Sequence, residues 1–239
     1  MTHKNEIGYN SPYRKKFEQM EEWYAAWMDK YFYPYISKAF KRNYDIETQK
    51  LGVDVLLTGG TKAITIDEKA SVMWCNCGLN KYALELSFLT IDADTKEEFE
   101  VDGWYLADGS ISTHMALIFI DSATTVDGRV LTGSGITQAT VSIIDKEKFQ
   151  QILDGMGWTK NNLKKKSDMI RAAYNQYGLY YNKYVNCGKL SYDKPHFFIQ
   201  IPQKEHGVNV QFTRQFLIDN SEFTAKVTTD KITVLKKVT

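Results

Sequence analysis

The stretch LGVDVLLTGGTKAITIDEKAS, residues 51–71, reads as two short strands, and the rest of the chain is interpreted around it. The first is aliphatic and β-branched (Val53, Val55, Leu56, Leu57). The second alternates Ile64 and Ile66 with Thr65 and Asp67, and Gly59-Gly60 between them is a hairpin signal. Successive strand side chains point to opposite faces. Thr65, Asp67 and Lys69 therefore share one face, and Ile64, Ile66, Glu68 and Ala70 the other. A two-residue turn at Gly59-Gly60 sets Asp54 opposite Thr65 and diagonal to Asp67, whereas a four-residue loop from Gly59 to Lys62 sets Asp54 directly opposite Asp67. Either even loop puts Asp54, Asp67 and Lys69 on one face; a three-residue loop does not.

Two carboxylates and an ammonium on one sheet face pair badly unless a cation lies between the acids. A divalent metal is the natural candidate, because magnesium takes one or two carboxylates together with water and phosphate oxygens. Asp54 followed by Asp67-Glu68-Lys69 resembles the D-(x)n-(D/E)-x-K signature of the PD-(D/E)XK, or restriction-endonuclease-like, nuclease superfamily. Val53 stands where the superfamily name has Pro. The IDEKA and ALELSF segments are similar to phage and mobile-element members. The resemblance implies that Asp54, Asp67 and the Glu68 backbone carbonyl bind Mg2+ (or Mn2+), and that Lys69 contacts the attacking water and the scissile phosphate of DNA. It further implies an additional acidic residue on the first helix, for which Glu22 is the choice.

That helix is expected over Pro12 to Phe40, with Ser11 as cap and an end near Pro34. Phe17, Met20, Trp23, Tyr24, Trp27 and Tyr31 form its apolar stripe at spacings of three and four. Glu47 and Gln49 stand close enough before Asp54 to support the site from behind. Val72 to Thr90 reads as strand, turn and strand, with Ala83, Glu85 and Ser87 on one face of the second. If it folds back on the DEK strand, Glu85 comes opposite Lys69 and holds its ammonium or adds a third carboxylate.

Further along, the acidic run Thr90 to Gly103 reads as a loop or hairpin tip. Trp104 to Ala107 and Thr113 to Ile120 read as strands, the second buried and central. Two helices follow Asp145 and Thr159, the second carrying Lys164-Lys165-Lys166. These lysines are the main candidates for nucleic-acid contact, beside Arg14-Lys15-Lys16 and Lys38 with Lys41-Arg42, because a formal net charge of +1 leaves DNA binding to local patches. After Tyr180 short strands alternate with Pro and Gly turns, and tyrosines are interleaved with lysines.

At 239 residues, 43% hydrophobic and 25% charged, the chain is long enough for a substantial core. No apolar run spans a bilayer and the N-terminus carries no apolar signal core, so no membrane partner and a cytoplasmic location are expected. Three cysteines, of which Cys75 and Cys77 have no second paired spacing to match them, and four dispersed histidines give neither a disulfide framework, nor a structural zinc site, nor a Ser-His-Asp triad. The expected fold is α/β: a restriction-endonuclease-like core with a mixed central sheet flanked by helices over residues 1–178, and a β-rich C-terminal extension over 179–239. The expected function is metal-dependent hydrolysis of DNA phosphodiester bonds, as a homodimer if both strands are cut together. The alternative is a binding or structural protein that keeps the nuclease fold without its activity.

Overall fold

The computed structural model describes residues 12–60, 62–92, 94–200 and 206–238, with side chains from residue 18 onward. Ser11 and the side chains of Phe17 and of Arg14, Lys15 and Lys16 lie outside the described residues. In chain order come helix Pro12–Tyr31 (α1), the short helix Tyr33–Ile36 (α2), strand Phe40–Arg42 (β1), helix Ile46–Lys50 (α3) and strands Val55–Leu57 (β2), Ile64–Ala70 (β3), Lys81–Ile91 (β4), Glu98–Asp102 (β5), His114–Val126 (β6) and Val130–Asp145 (β7). Helices Lys146–Gly155 (α4) and Lys160–Tyr177 (α5) follow, then strands His196–Ile199 (β8) and Val208–Thr213 (β9), helix Arg214–Asp219 (α6) and strands Phe223–Thr228 (β10) and Ile232–Lys237 (β11).

The chain forms two compact units. One, built from Lys15–Asn80, Gly109–Phe149 and Leu217–Thr239, holds a seven-stranded sheet in the order β1-β2-β3-β6-β7-β10-β11. Its single parallel pairing is β3 with β6, so the sheet is mixed. The α1 stripe works as its spacing predicts: Met20, Tyr24, Trp27 and Met28 are buried in one cluster with Ile66, Ala116, Ile118 and Val141 of the sheet. Each such fully buried side chain contributes roughly 1.5–3 kcal/mol relative to exposure. The other unit, including Lys81–Asp108 and Gln150–Phe216, holds an antiparallel four-stranded sheet, β5-β4-β9-β8, with α5 against β4, β8 and β9.

These units do not divide at residues 178/179; each sheet draws strands from both sides of that point. Of the local readings, the acidic run is a hairpin tip that runs on into β5, paired with β4, and Trp104 to Ala107 is a turn instead of a strand. Gly103 explains the turn: it is pressed against the Glu85 backbone so closely that a Cβ would lie 2.6 Å from the Glu85 carbonyl oxygen, and its own carbonyl accepts the Ala107 amide at 2.8 Å. Among the described residues, no helix is long and apolar enough to cross a membrane.

Candidate functional site

Asp54 is delivered by a clamped turn. Asp45 caps α3 by accepting the Thr48 amide at 2.9 Å, and Gly52 takes up a left-handed conformation (φ 79°) as its amide returns to the Gln49 carbonyl at 2.8 Å. Asn43 then donates to the Val53 carbonyl at 2.6 Å, and its amide to the Asp54 carbonyl at 2.8 Å. The hairpin pairs Val55 with Ile66 and Leu57 with Ile64, and the Asp54 amide donates to the Ile66 carbonyl. This is the register of a four-residue loop; Asp54 stands just before the ladder, its amide bonded to Ile66, the residue opposite Val55.

The Asp54 Oδ2 accepts the Glu68 amide at 2.7 Å. Because the amide and carbonyl of one strand residue point to the same side, the Glu68 carbonyl also turns toward the side on which Asp54 lies. Burial, reinforced by the neighbouring Glu68 and Asp67 and only partly offset by Lys69, pushes the Asp54 carboxyl up to about 7. Asp67 is 3% exposed, and both its oxygens carry lysines: Lys69 on Oδ1, and Lys146, the first residue of α4, 3.4 Å from Oδ2. Burial works against the Lys69 ammonium, but Asp67 and Asp54 outweigh it and raise its pKa. Lys146 also reaches Ser112 Oγ at 2.5 Å and Ser110 Oγ at 3.1 Å.

On the opposite face of β3 the Glu68 carboxylate enters the core. It accepts from the Tyr33 hydroxyl at 2.7 Å and from Arg42 at 2.5 Å, and Arg42 also holds Asp29 of α1 at 2.7 Å. Burial opposes the guanidinium charge, yet Asp29 and Glu68 together keep its pKa well above the ordinary value. One strand tripeptide thus splits its chemistry: Asp67 and Lys69 on one side, Glu68 locked to α1, α2 and β1 on the other.

The remaining expected residues fall elsewhere. Glu85 is not opposite Lys69: β4 pairs with β5 and β9, placing Glu85 across from Asn209, while β3 lies between β2 and β6. Glu22 is exposed on α1; Glu21, one residue earlier, is the helix carboxylate whose charge bears on Lys69. Glu47 is exposed and paired with Lys50 at 2.7 Å, whereas Gln49 donates to the Asn43 carbonyl at 2.8 Å and so steadies the Asp54 clamp. Lys164 is bound to Asp102 at 2.7 Å and Lys166 to the Asn186 carbonyl, leaving Lys165 as the exposed member of the trio. Arg42, a candidate for nucleic-acid contact from sequence, is instead engaged by Asp29 and Glu68, and Lys146, Ser110, Ser112 and Gly52 carry no part in the sequence reading of the site. Only the glycine carries a readable signal, as the residue that ends α3 two positions before Asp54.

A second group of possible ligands is His114, Asp145 and Glu222, whose ligand atoms lie within 4.8 Å of one another. His114 Nε2 is 3.1 Å from Glu222 Oε2, and Lys148 binds the other oxygen of Glu222 and lies 3.7 Å from Asp145. Lys148 offsets part of this negative charge, and the group ties β6, the β7–α4 junction and the residue before β10 together. It borders a cavity of about 310 Å³ lined by Tyr35, Leu57, Ile64, Ile143 and Phe223.

The chain matches no family model, no curated protein and no solved structure. Function is therefore argued from the site itself. The Asp54 and Asp67 carboxylates and the Glu68 carbonyl are hard oxygen donors from neighbouring positions, a donor chemistry that fits magnesium or manganese, although Lys69 and Lys146 already balance the Asp67 charge. Of the cations now on Asp67, Lys146 at 3.4 Å is the more loosely held.

Proposed function

We propose that the chain is a metal-dependent nuclease hydrolysing DNA phosphodiester bonds, built on a restriction-endonuclease-like core of the PD-(D/E)XK type. The observation that carries this reading is the Asp54 carboxylate on the amide of Glu68, the residue between Asp67 and Lys69, at 2.7 Å, with the Lys69 ammonium on Asp67. The parallel β3–β6 pairing and the α1 cover over the Ile66 face support the core assignment.

Asp54, Asp67 and the Glu68 carbonyl hold Mg2+ or Mn2+, and the ion supplies Lewis-acid stabilisation of the charged phosphate and a more acidic bound water. Lys69 is kept protonated by its two acids, so its Nζ orients the water and balances charge on the phosphate. Glu68 fixes the strand from behind through Tyr33 and Arg42, which holds its own carbonyl and the flanking Asp67 and Lys69 in place.

Incubating the purified chain with plasmid and linear DNA tests this directly. Cleavage is expected with magnesium or manganese and none after chelation. Lys69→Ala is expected to slow cleavage by roughly two orders of magnitude or more while leaving metal binding by calorimetry intact. A second reading, a binding protein with a silent nuclease fold, draws on the two lysines already neutralising Asp67. It predicts no cleavage and no metal-dependent rise in thermal stability, and that result would sink the nuclease reading.

A further inference from the structure

Beside Asp67, three groups converge that the metal chemistry does not use. Lys146 Nζ lies 2.5 Å from Ser112 Oγ and 3.1 Å from Ser110 Oγ, and the two hydroxyls are 3.1 Å apart. Gly52 forms the wall. A Cβ on it would meet Ser110 Oγ at 3.1 Å, Asp67 Oδ2 at 3.4 Å and Ser112 Oγ at 3.4 Å, in a backbone conformation that L side chains rarely adopt. The glycine therefore lets these three oxygens gather close against its backbone. Ser112 is buried, while the Lys146 side chain retains 20% exposure and Ser110 is exposed, so the cluster opens to solvent at one end.

We propose that Lys146, Ser110 and Ser112 form a cradle for a backbone phosphate of the nucleic acid, an inference that rests on the nuclease reading. An ammonium and two hydroxyls are donors suited to a tetrahedral oxyanion. Without metal, Asp67 faces the same space and both repels phosphate and engages Lys146. A divalent cation on Asp67 removes that repulsion and releases Lys146 toward the phosphate. Metal and phosphate binding are consequently coupled, each strengthening the other.

The test measures DNA cleavage in magnesium at several salt concentrations for the wild type, Lys146→Met and the double variant Ser110→Ala/Ser112→Ala, beside calorimetric titration of each with inorganic phosphate with and without magnesium. For Lys146→Met the expected result is a KM about tenfold higher, with a salt slope smaller by about one and a smaller change in kcat. The double variant shifts KM in the same direction. Phosphate binding to the wild type needs magnesium and is lost in Lys146→Met. Unchanged KM and unchanged phosphate titration in both variants overturn the cradle. If Lys146→Met does not fold, the double variant decides by the same readings. If the wild type cleaves no DNA, the nuclease reading falls and the phosphate titration alone decides: magnesium-dependent binding lost in Lys146→Met upholds the cradle, and no such binding overturns it.

Discussion

The Glu68 carboxylate is almost fully buried, and its charge is tolerable only because Arg42 and Tyr33 meet it. Removing one member of a buried pair leaves an uncompensated charge, so Arg42→Met is expected to cost roughly 3–5 kcal/mol in urea unfolding, with Glu68→Gln in the same background recovering part of it. The sign differs at Asp54. Its folded carboxyl is pushed up to about 7 against an unfolded value near 4, so between those values the folded state binds more protons than the unfolded one. Metal-free stability from this group is fully present below about pH 4 and is lost as pH rises through 7. Thermal unfolding from pH 4 to 8 in chelator should show that decline, and Asp54→Asn should flatten it. That Lys69 meets Asp67 was legible, because face parity two residues apart on one strand is a local property. Arg42 with Glu68, and Lys146 with Asp67, were not, because both pairings depend on elements brought together by the fold.

Among the elements, the β2–β3 hairpin was readable as two strands about Gly59-Gly60 with an even loop, but its register was not: the fold takes the four-residue alternative over the two-residue turn. The strand carrying Glu85 was recognised as a strand but given the wrong neighbour. Its alternation suits either sheet, and the choice is made by β9, far along the chain, and by the bend at Gly103. Accordingly, Glu85→Gln is expected to leave DNA cleavage within about twofold of wild type, whereas loss of a group that touches the reacting atoms costs on the order of a hundredfold. Comparing the two single-turnover rates checks the assignment, and a hundredfold loss for Glu85→Gln would return that strand to the site.

At the scale of the whole molecule the two sheets are interleaved along the sequence, which composition and turn signals could not reveal: Pro and Gly turns after Tyr180 mark strand ends without saying which sheet receives each strand. The consequence is sharp for a chain ending at Gly178. It would lose β8 and β9 from one sheet and β10 and β11 from the other, leaving β4 without β9 and β7 without β10. Ala225 and Val227 of β10 are fully buried in the cluster that also holds Val141 and Ile143, so their removal uncovers the apolar face of β7 together with a row of unpaired backbone groups. Such a truncation is expected to bind a hydrophobic dye, to lack a cooperative urea transition and to aggregate at concentrations where the full chain unfolds reversibly. A cooperative transition in the 1–178 fragment would show instead that the C-terminal strands are an appendage, and that the seven-stranded sheet stands without its last two members.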